Sequence, residues 1–421
     1  MSSMTRPQRS GDDLVRDPAF IAAAARAFPS LAEALSVRHD RRSVMKLMAA
    51  GLALAGLGGC DDGEPGGVLI PPVLPSRGSI ARGSNVFATA SLLQGYAAGV
   101  LVSHSLGRPI KVEGNPDHPG SLGATDAISQ AEILGFYDPD RTIGVMHGGV
   151  QQDWHTLQTT LAQQRDQINQ THGEGFRVLT GATTSPTLVR LIEVLLRRYP
   201  QMQWHQWEPI SRDAVRAGAM LAYGRPVEVV PELSAADVIL AIDSDLLSSA
   251  PGHVRFALAF AMRRNPVRTP AMSRWYAIEP APTLTGVAAD HRFVAGTQDM
   301  HRIVLGLADM VLRGLGPPTD APLWLAGLAA DLKAHHGRVL IHVGPHQPAE
   351  FHALAHAMNE MLGGRGNTYH LIEAVAVSPT DQSKSLHDLA ADMASDRVQS
   401  LLIVDSNPVF TALQRSGFPM P

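Results

Sequence analysis

Asp237-Val238-Ile239-Leu240-Ala241-Ile242, followed at once by Asp243-Ser244-Asp245, is the stretch on which the fold turns. Its apolar residues run without alternation, so a strand here must be covered on both faces. That is the texture of a parallel sheet's interior. Four further runs share it: Phe176–Thr180, 275–279, 338–343 and Ser400–Val404. Helical patterns are expected between and around them, at 154–169, 187–199, 211–223, His253–Arg263, 300–313, 322–335, 349–362 and 385–395. Apolar strands alternating with amphipathic helices define the α/β class. Each run ends in small or turn-forming residues, among them Gly181-Ala182, Pro280-Ala281-Pro282, Gly344-Pro345 and Asp405-Ser406-Asn407-Pro408. The carboxyl ends of such strands are where ligands bind in open α/β sheets.

Ahead of this region the texture differs. Segments 86–90, 99–104 and Arg108–Gly114 read as strands, the last because apolar and polar residues alternate. A small β-rich domain at 85–150 is therefore expected before α/β domains of Rossmann-like parallel type at 151–421.

The chain has 421 residues, 45% of them hydrophobic and 18% charged, which suits well-filled globular cores. A net charge of -4 gives no reason to expect a nucleic-acid partner. One cysteine, Cys60, is present. A lone thiol forms no disulfide within the chain and cannot supply the four thiolates of an ordinary iron–sulfur cluster or a cysteine-based zinc site. Gly-x-Ser-x-Gly is missing, so no nucleophile elbow is legible.

Residues 1–60 carry an address. Arg41-Arg42 opens a basic segment, and the apolar run 47–59 ends in Leu57-Gly58-Gly59-Cys60. The run is shorter than the roughly 20 apolar residues of a membrane span and has the length of a signal h-region. Its glycines argue against a packed helix. Arg41-Arg42 resembles a twin-arginine signal and Cys60 a lipidated processing site. The position is unusual, because 40 residues precede Arg41. Residues 61–84 are rich in Gly and Pro and read as a tether.

The string Leu106-Gly107-Arg108-Pro109-Ile110-Lys111-Val112-Glu113-Gly114-Asn115-Pro116-Asp117-His118-Pro119 resembles an element of the molybdopterin oxidoreductase superfamily. Gly123-Ala124-Thr125-Asp126-Ala127 and Leu134-Gly135-Phe136-Tyr137-Asp138-Pro139-Asp140-Arg141 continue the likeness. With the twin arginine and the cysteine ahead of it, the chain resembles the B subunits of alternative complex III, over roughly 41–412. The resemblance implies a molybdopterin oxidoreductase-like α/β fold and a place in a membrane-bound quinol-oxidising respiratory complex. It implies partners that bear clusters and haem, polytopic membrane subunits, and a lipid-anchored position at the extracytoplasmic, periplasmic face of the bacterial inner membrane. The superfamily's cysteine motif ahead of the Gly-Arg-Pro element is missing. No cofactor is therefore expected in this chain, and iron–sulfur clusters are expected only in a partner or a missing C-terminal half.

Arg108 and Lys111 are candidates to cradle a pyranopterin phosphate, or they are solvated charges of a packed hairpin. Asp243 and Asp245 are candidates for a nucleotide's ribose or guanine; the competing reading has Asp245, with Ser248 or Ser249, capping a helix. Asp290, in Asp290-His291-Arg292, is a further candidate for guanine contact. His118 is expected to be a hydrogen-bonded structural group. Gly181–Pro186 by number, 181–186, has only a weak phosphate-loop character. His352 and His356 have metal-ligand spacing on one helix, but a surface or interface role is expected of them. Three functions stay open: a cofactor-free scaffold of an electron-transfer complex, a catalytic molybdopterin-dependent subunit, and a soluble nucleotide-binding module.

Overall fold

The computed structural model describes residues 84–412, apart from 94, 95, 106, 268, 270 and 377–380. Arg41, Arg42, Cys60 and the tether therefore lie outside the described residues.

The described chain opens with an antiparallel meander of β1 (Ser84–Leu93), β2 (Tyr96–Ser105) and β3 (Arg108–Gly114), in that spatial order. The register between β2 and β3 shifts between Ser103 and His104. A short helix α1 (Ala127–Ala131) follows, its first turn held by Asp126, whose side chain accepts from Ser129 N at 2.6 Å. The hairpin β4 (Val145–His147) and β5 (Val150–Gln152) leads into α2 (Trp154–Gln170).

The parallel sheets then appear. β6 (Phe176–Thr180) is buried throughout; α3 (Pro186–Arg198) returns the chain to β7 (Gln203–Gln206) beside it. After α4 (Asp213–Tyr223), β8 (Val227–Pro231) leads to β9 (Val238–Ile242), the quoted apolar strand, every residue of which is buried. Then come α5 (His253–Arg263), β10 (Arg274–Glu279), α6 (Leu284–Ala288), β11 (His291–Val294), α7 (Thr297–Leu312), α8 (Leu323–Ala334), β12 (Val339–Val343) and α9 (Ala349–Met361). β13 (Tyr369–Glu373), α10 (Gln382–Ala394), β14 (Ser400–Val404) and α11 (Pro408–Thr411) complete it.

One four-stranded sheet has the order β11-β10-β9-β12, all parallel. Alternate residues of β9 face opposite cores. Val238, Leu240 and Ile242 pack with Val304, Leu307, Leu332 and Met358, while Ile239 packs with Leu246, Phe256 and Trp275. Fully burying each such side chain stabilises by about 1.5–3 kcal/mol, which explains why β9 reads as continuous apolar sequence. A second parallel sheet has the order β14-β6-β7, and β13 pairs antiparallel with β8. The α/β class expected from the sequence is the class observed.

β14 departs from the expectation of burial on both faces. Leu402 and Ile403 are 43% exposed, because β14 is an edge strand with β6 as its neighbour among the described residues. Among the described residues no helix is long and apolar enough to cross a membrane.

Candidate functional site

In the four-stranded sheet the chain moves outward from β9 to β10 and β11, then returns to the other side of β9 for β12. The direction of progression reverses between β9 and β12. In open α/β sheets such a switch point opens a crevice at the carboxyl ends of the two strands. A small cavity of about 60 Å³ lies there, lined by Ser244, Asp245, His342, Pro345 and, from the helices, Arg212 and His352.

Both aspartates singled out in the sequence follow β9 at this end of the sheet, and Asp245 lines the cavity. Asp243 has φ of 44°, a left-handed conformation that Asp tolerates better than most residues. Its carboxylate is clasped from the β12–α9 loop: Gln347 Nε2 donates to Oδ2 at 2.6 Å, and His346 Nε2 lies 2.7 Å from the same oxygen. Gly344 permits this closure, since a Cβ there would sit 1.8 Å from Asp243 O. Asp245 is engaged too. Its Oδ1 accepts from Thr285 N at 3.0 Å and from Thr285 Oγ1 at 2.8 Å, at the start of α6. The helix that Asp245 secures is thus α6. α5 starts after Gly252 with no side-chain cap, so the expected cap with Ser248 or Ser249 is corrected: their N–H groups donate to the main-chain oxygen of Asp245.

The other candidates lie elsewhere. Asp290 holds the opposite, amino-terminal edge of the same sheet: it pairs with Arg264 at 2.8 Å and accepts from Trp275 N at 2.9 Å. These partners hold its carboxyl below the usual carboxylate range against the opposing effect of desolvation. Asp243 and Asp290 therefore cannot share one small ligand. Arg108 and Lys111 sit on β3, where the Arg108 guanidinium lies 4.7 Å over the Tyr137 ring and Lys111 pairs with exposed Glu113 at 2.8 Å. His118 Nδ1 accepts from Gly99 N at 3.2 Å and from Gly120 N at 3.1 Å, a structural histidine. Gly114 keeps negative φ; it is required by close approach, since a Cβ would lie 2.1 Å from Ala124 O.

A second reversal falls between β6 and β14, where the loop after β6 was the weak phosphate-loop candidate. A carboxylate of the chain itself occupies the donor a phosphate would use: Glu208 Oε1 accepts from Ala182 N at 2.9 Å. Burial pushes the Glu208 carboxyl above the usual range, opposed by that hydrogen bond and reinforced by Asp405.

His352 and His356 correct a further expectation. Both are buried, at 5% and 7% exposure, and do not lie on a surface. Their Nε2 atoms have no hydrogen-bond partner. His342, on β12, accompanies them and meets Ser244 Oγ at 2.7 Å. Burial lowers His342 to about 3, and His352 and His356 to about 4, with neighbouring positive charge lowering the first two further. All three are neutral imidazoles at neutral pH. Among the described residues, no group of three His, Cys, Asp or Glu side chains is arranged to hold a metal ion.

Sequence reasoning missed Arg212 and Asn359. Arg212 lies 3.6 Å from Glu228, which also accepts from Tyr96 of β2, so it ties the crevice wall to the antiparallel sheet. Asn359 on α9 brackets β12: its Oδ1 accepts from Ile341 N and its Nδ2 donates to Ile341 O, each at 2.8 Å. Neither has a local signal. A polar His342 inside an apolar strand was the one hint available in the sequence.

A pyranopterin dinucleotide does not fit these residues. Small-molecule sites enclose roughly 300–1,000 Å³, whereas this crevice is about 60 Å³; Asp245, which lines it, and Asp243 beside it are already bonded within the chain.

Over 247 residues, 57% of the chain, the sequence is 23% identical to the molybdopterin-binding-like subunit of menaquinone reductase from Nitratidesulfovibrio vulgaris. The matched stretch is 35% of that relative, so the chain spans about a third of the length of the curated relative it matches. No family model matches. Among solved structures, acetylene hydratase from Pelobacter acetylenicus covers 67% of this chain and 44% of its own, with TM-score 0.49 and 12% identity. The formyltransferase/hydrolase complex from Methylorubrum extorquens gives TM-score 0.32 and 15% identity over 56% of this chain and 62% of its own.

Proposed function

We propose that this molybdopterin oxidoreductase-like chain is the scaffold subunit of a membrane-bound, quinol-oxidising electron-transfer complex of the alternative complex III type, and that it carries no redox cofactor itself. One observation carries the reading: the carboxylates that follow β9 at the switch point are bonded to His346, Gln347 and Thr285, and the crevice that Asp245 lines is about 60 Å³. The single thiol of the sequence adds to it, since four thiolates are needed for an ordinary cluster. Support for quinone chemistry comes from the relative named as a subunit of menaquinone reductase. Electrons then pass through cluster-bearing and haem-bearing partners, and polytopic subunits hold the assembly at the extracytoplasmic face. Cys60, lipidated, adds an anchor.

Elemental analysis of the purified chain for molybdenum, tungsten and iron, with pterin fluorescence after denaturation, tests the assignment. Substoichiometric metal and no pterin are expected. One equivalent of molybdenum or tungsten with released pterin overturns it and makes the chain a catalytic subunit. Membrane fractionation of Cys60→Ser tests the anchor separately: release into the soluble fraction is expected, and unchanged membrane association removes the lipid from the account.

A further inference from the structure

A larger cavity than the switch-point crevice lies at the carboxyl end of the edge strand β11. It encloses about 400 Å³, inside the range of roughly 300–1,000 Å³ that small-molecule sites occupy. Val294 lines it from the end of β11, and α7 forms one wall through Ile303 and Leu305. The segment 313–322 and the start of α8 form the other wall, through Pro318 and Leu325. That segment sits close against α7, since a Cβ on Gly306 would lie 3.0 Å from Pro318 Cγ.

A run of near-parallel rings leads to this cavity. Tyr276 and His291 stack at 4.8 Å and 21°, His291 and Phe293 at 6.5 Å and 6°, and Phe293 and Trp324 at 3.8 Å and 5°. Trp324 ends the run, is half-buried and lines the cavity. Indole attracts cations more strongly than the other aromatic side chains. Among the described residues no arginine lies over the Trp324 ring.

The charges are placed at the cavity itself. Asp299, Asp309 and Asp320 line it against one guanidinium, that of Arg302. Arg302 is shared between Asp299 and Asp320, the latter at 3.1 Å, while Asp309 pairs with Arg313 at 3.0 Å. Three carboxylates against two guanidiniums leave one negative charge over. All five side chains are 43–67% exposed, so each pair is worth under about 1 kcal/mol. Such pairs yield to a cation brought by a guest, whereas an anion meets repulsion.

We propose that this cavity binds a planar aromatic monocation, a fused-ring amine or amidine, with its ring against Trp324 and its charge among Asp299, Asp309 and Asp320. The apolar walls take the body of the guest, and the acidic lining selects its charge. The inference stands apart from the cofactor question, because β11 is the outer strand on the side of β9 away from β12 and the crevice.

The test titrates the full chain by fluorescence, at low ionic strength and slightly alkaline pH, with three probes of one tricyclic shape. Proflavine is a cation, acridine is neutral and 9-anthracenecarboxylate is an anion. Proflavine should saturate at one equivalent, weaken with added salt, and bind on the order of tenfold more tightly than acridine. The carboxylate should not bind. Leu305→Trp, which fills the cavity from a position 45% exposed, should abolish binding at unchanged Tm. Trp324→Leu should weaken proflavine by on the order of tenfold, and Asp309→Asn should narrow the gap between proflavine and acridine. If Trp324→Leu lowers Tm, Leu305→Trp and Asp309→Asn decide. No saturable binding overturns the proposal, as does proflavine binding that all three variants leave intact. Acridine or the carboxylate binding as tightly as proflavine overturns it too, because charge then plays no part in selection.

Discussion

Gly218 of α4 and His352 of α9 fix how closely these two helices approach: a Cβ on Gly218 would lie 2.3 Å from His352 Cβ and 2.7 Å from Ala349 O. The contact holds the buried imidazole against the crevice wall. Gly218→Ala must therefore push α4 away from α9. Overpacking of this kind costs about 1–3 kcal/mol, even though Ala is the better helix former. Urea unfolding should give a lower midpoint for Gly218→Ala, and a neutral or stabilised variant would refute the close approach.

Acid should destabilise the crevice before it reaches the carboxylates. His342, His352 and His356 bind protons in the folded state only near pH 3–4, but at the ordinary histidine value when unfolded. Between about pH 6.5 and pH 4 the unfolded chain holds more protons, so stability falls as pH falls, by up to about 1.4 kcal/mol per pH unit for each histidine. Asp237, Asp290 and Asp331 have lowered values, so their contribution is lost only further down, below the usual carboxylate range. Chemical denaturation across pH 4–7 should show a shallower slope for His352→Gln than for the parent chain.

Arg177 and Asp392 join β6 to α10 almost without solvent, at side-chain exposures of 6% and 14% and a closest approach of 2.6 Å. Asp392→Ala leaves a buried guanidinium unpaired, which costs on the order of 3–5 kcal/mol. Asp309→Ala, whose partner Arg313 is 67% exposed, should cost under about 1 kcal/mol. Equal effects in a thermal-unfolding comparison would contradict the burial difference.

Asp243 should be replaceable by Asn but not by Ala. Asn tolerates the left-handed backbone and still accepts from Gln347, whereas Ala loses the clasp and strains at φ of 44°. Asp243→Ala should lose about 1–3 kcal/mol, and hydrogen exchange should rise in the loop around Gly344–Gln347, numbers 344–347. Protection unchanged there would mean that the clasp does not close the crevice.

The sequence by itself determined the α/β class and the central strands, because β6, β9, β10 and β12 are buried on both faces and that burial writes itself as a near-continuous apolar run. It also placed β3 to the residue and His253–Arg263 as a helix. It did not disclose β7, β8, β11 or β13, which are only partly buried, so their composition carries no clear apolar run. Nor did local sequence say that Asp243 and Asp245 are held at the carboxyl end of β9 while Asp290 lies at the opposite edge of the sheet. That separation follows from the parallel direction of β9, β10 and β11. Arg212 precedes α4, His342 lies on β12 and His352 and Asn359 share α9, and only the return of β12 to the far side of β9 brings them together at one crevice. Burial of one strand is a local property of composition; which side chains meet depends on strand order, a relation between residues far apart in the chain.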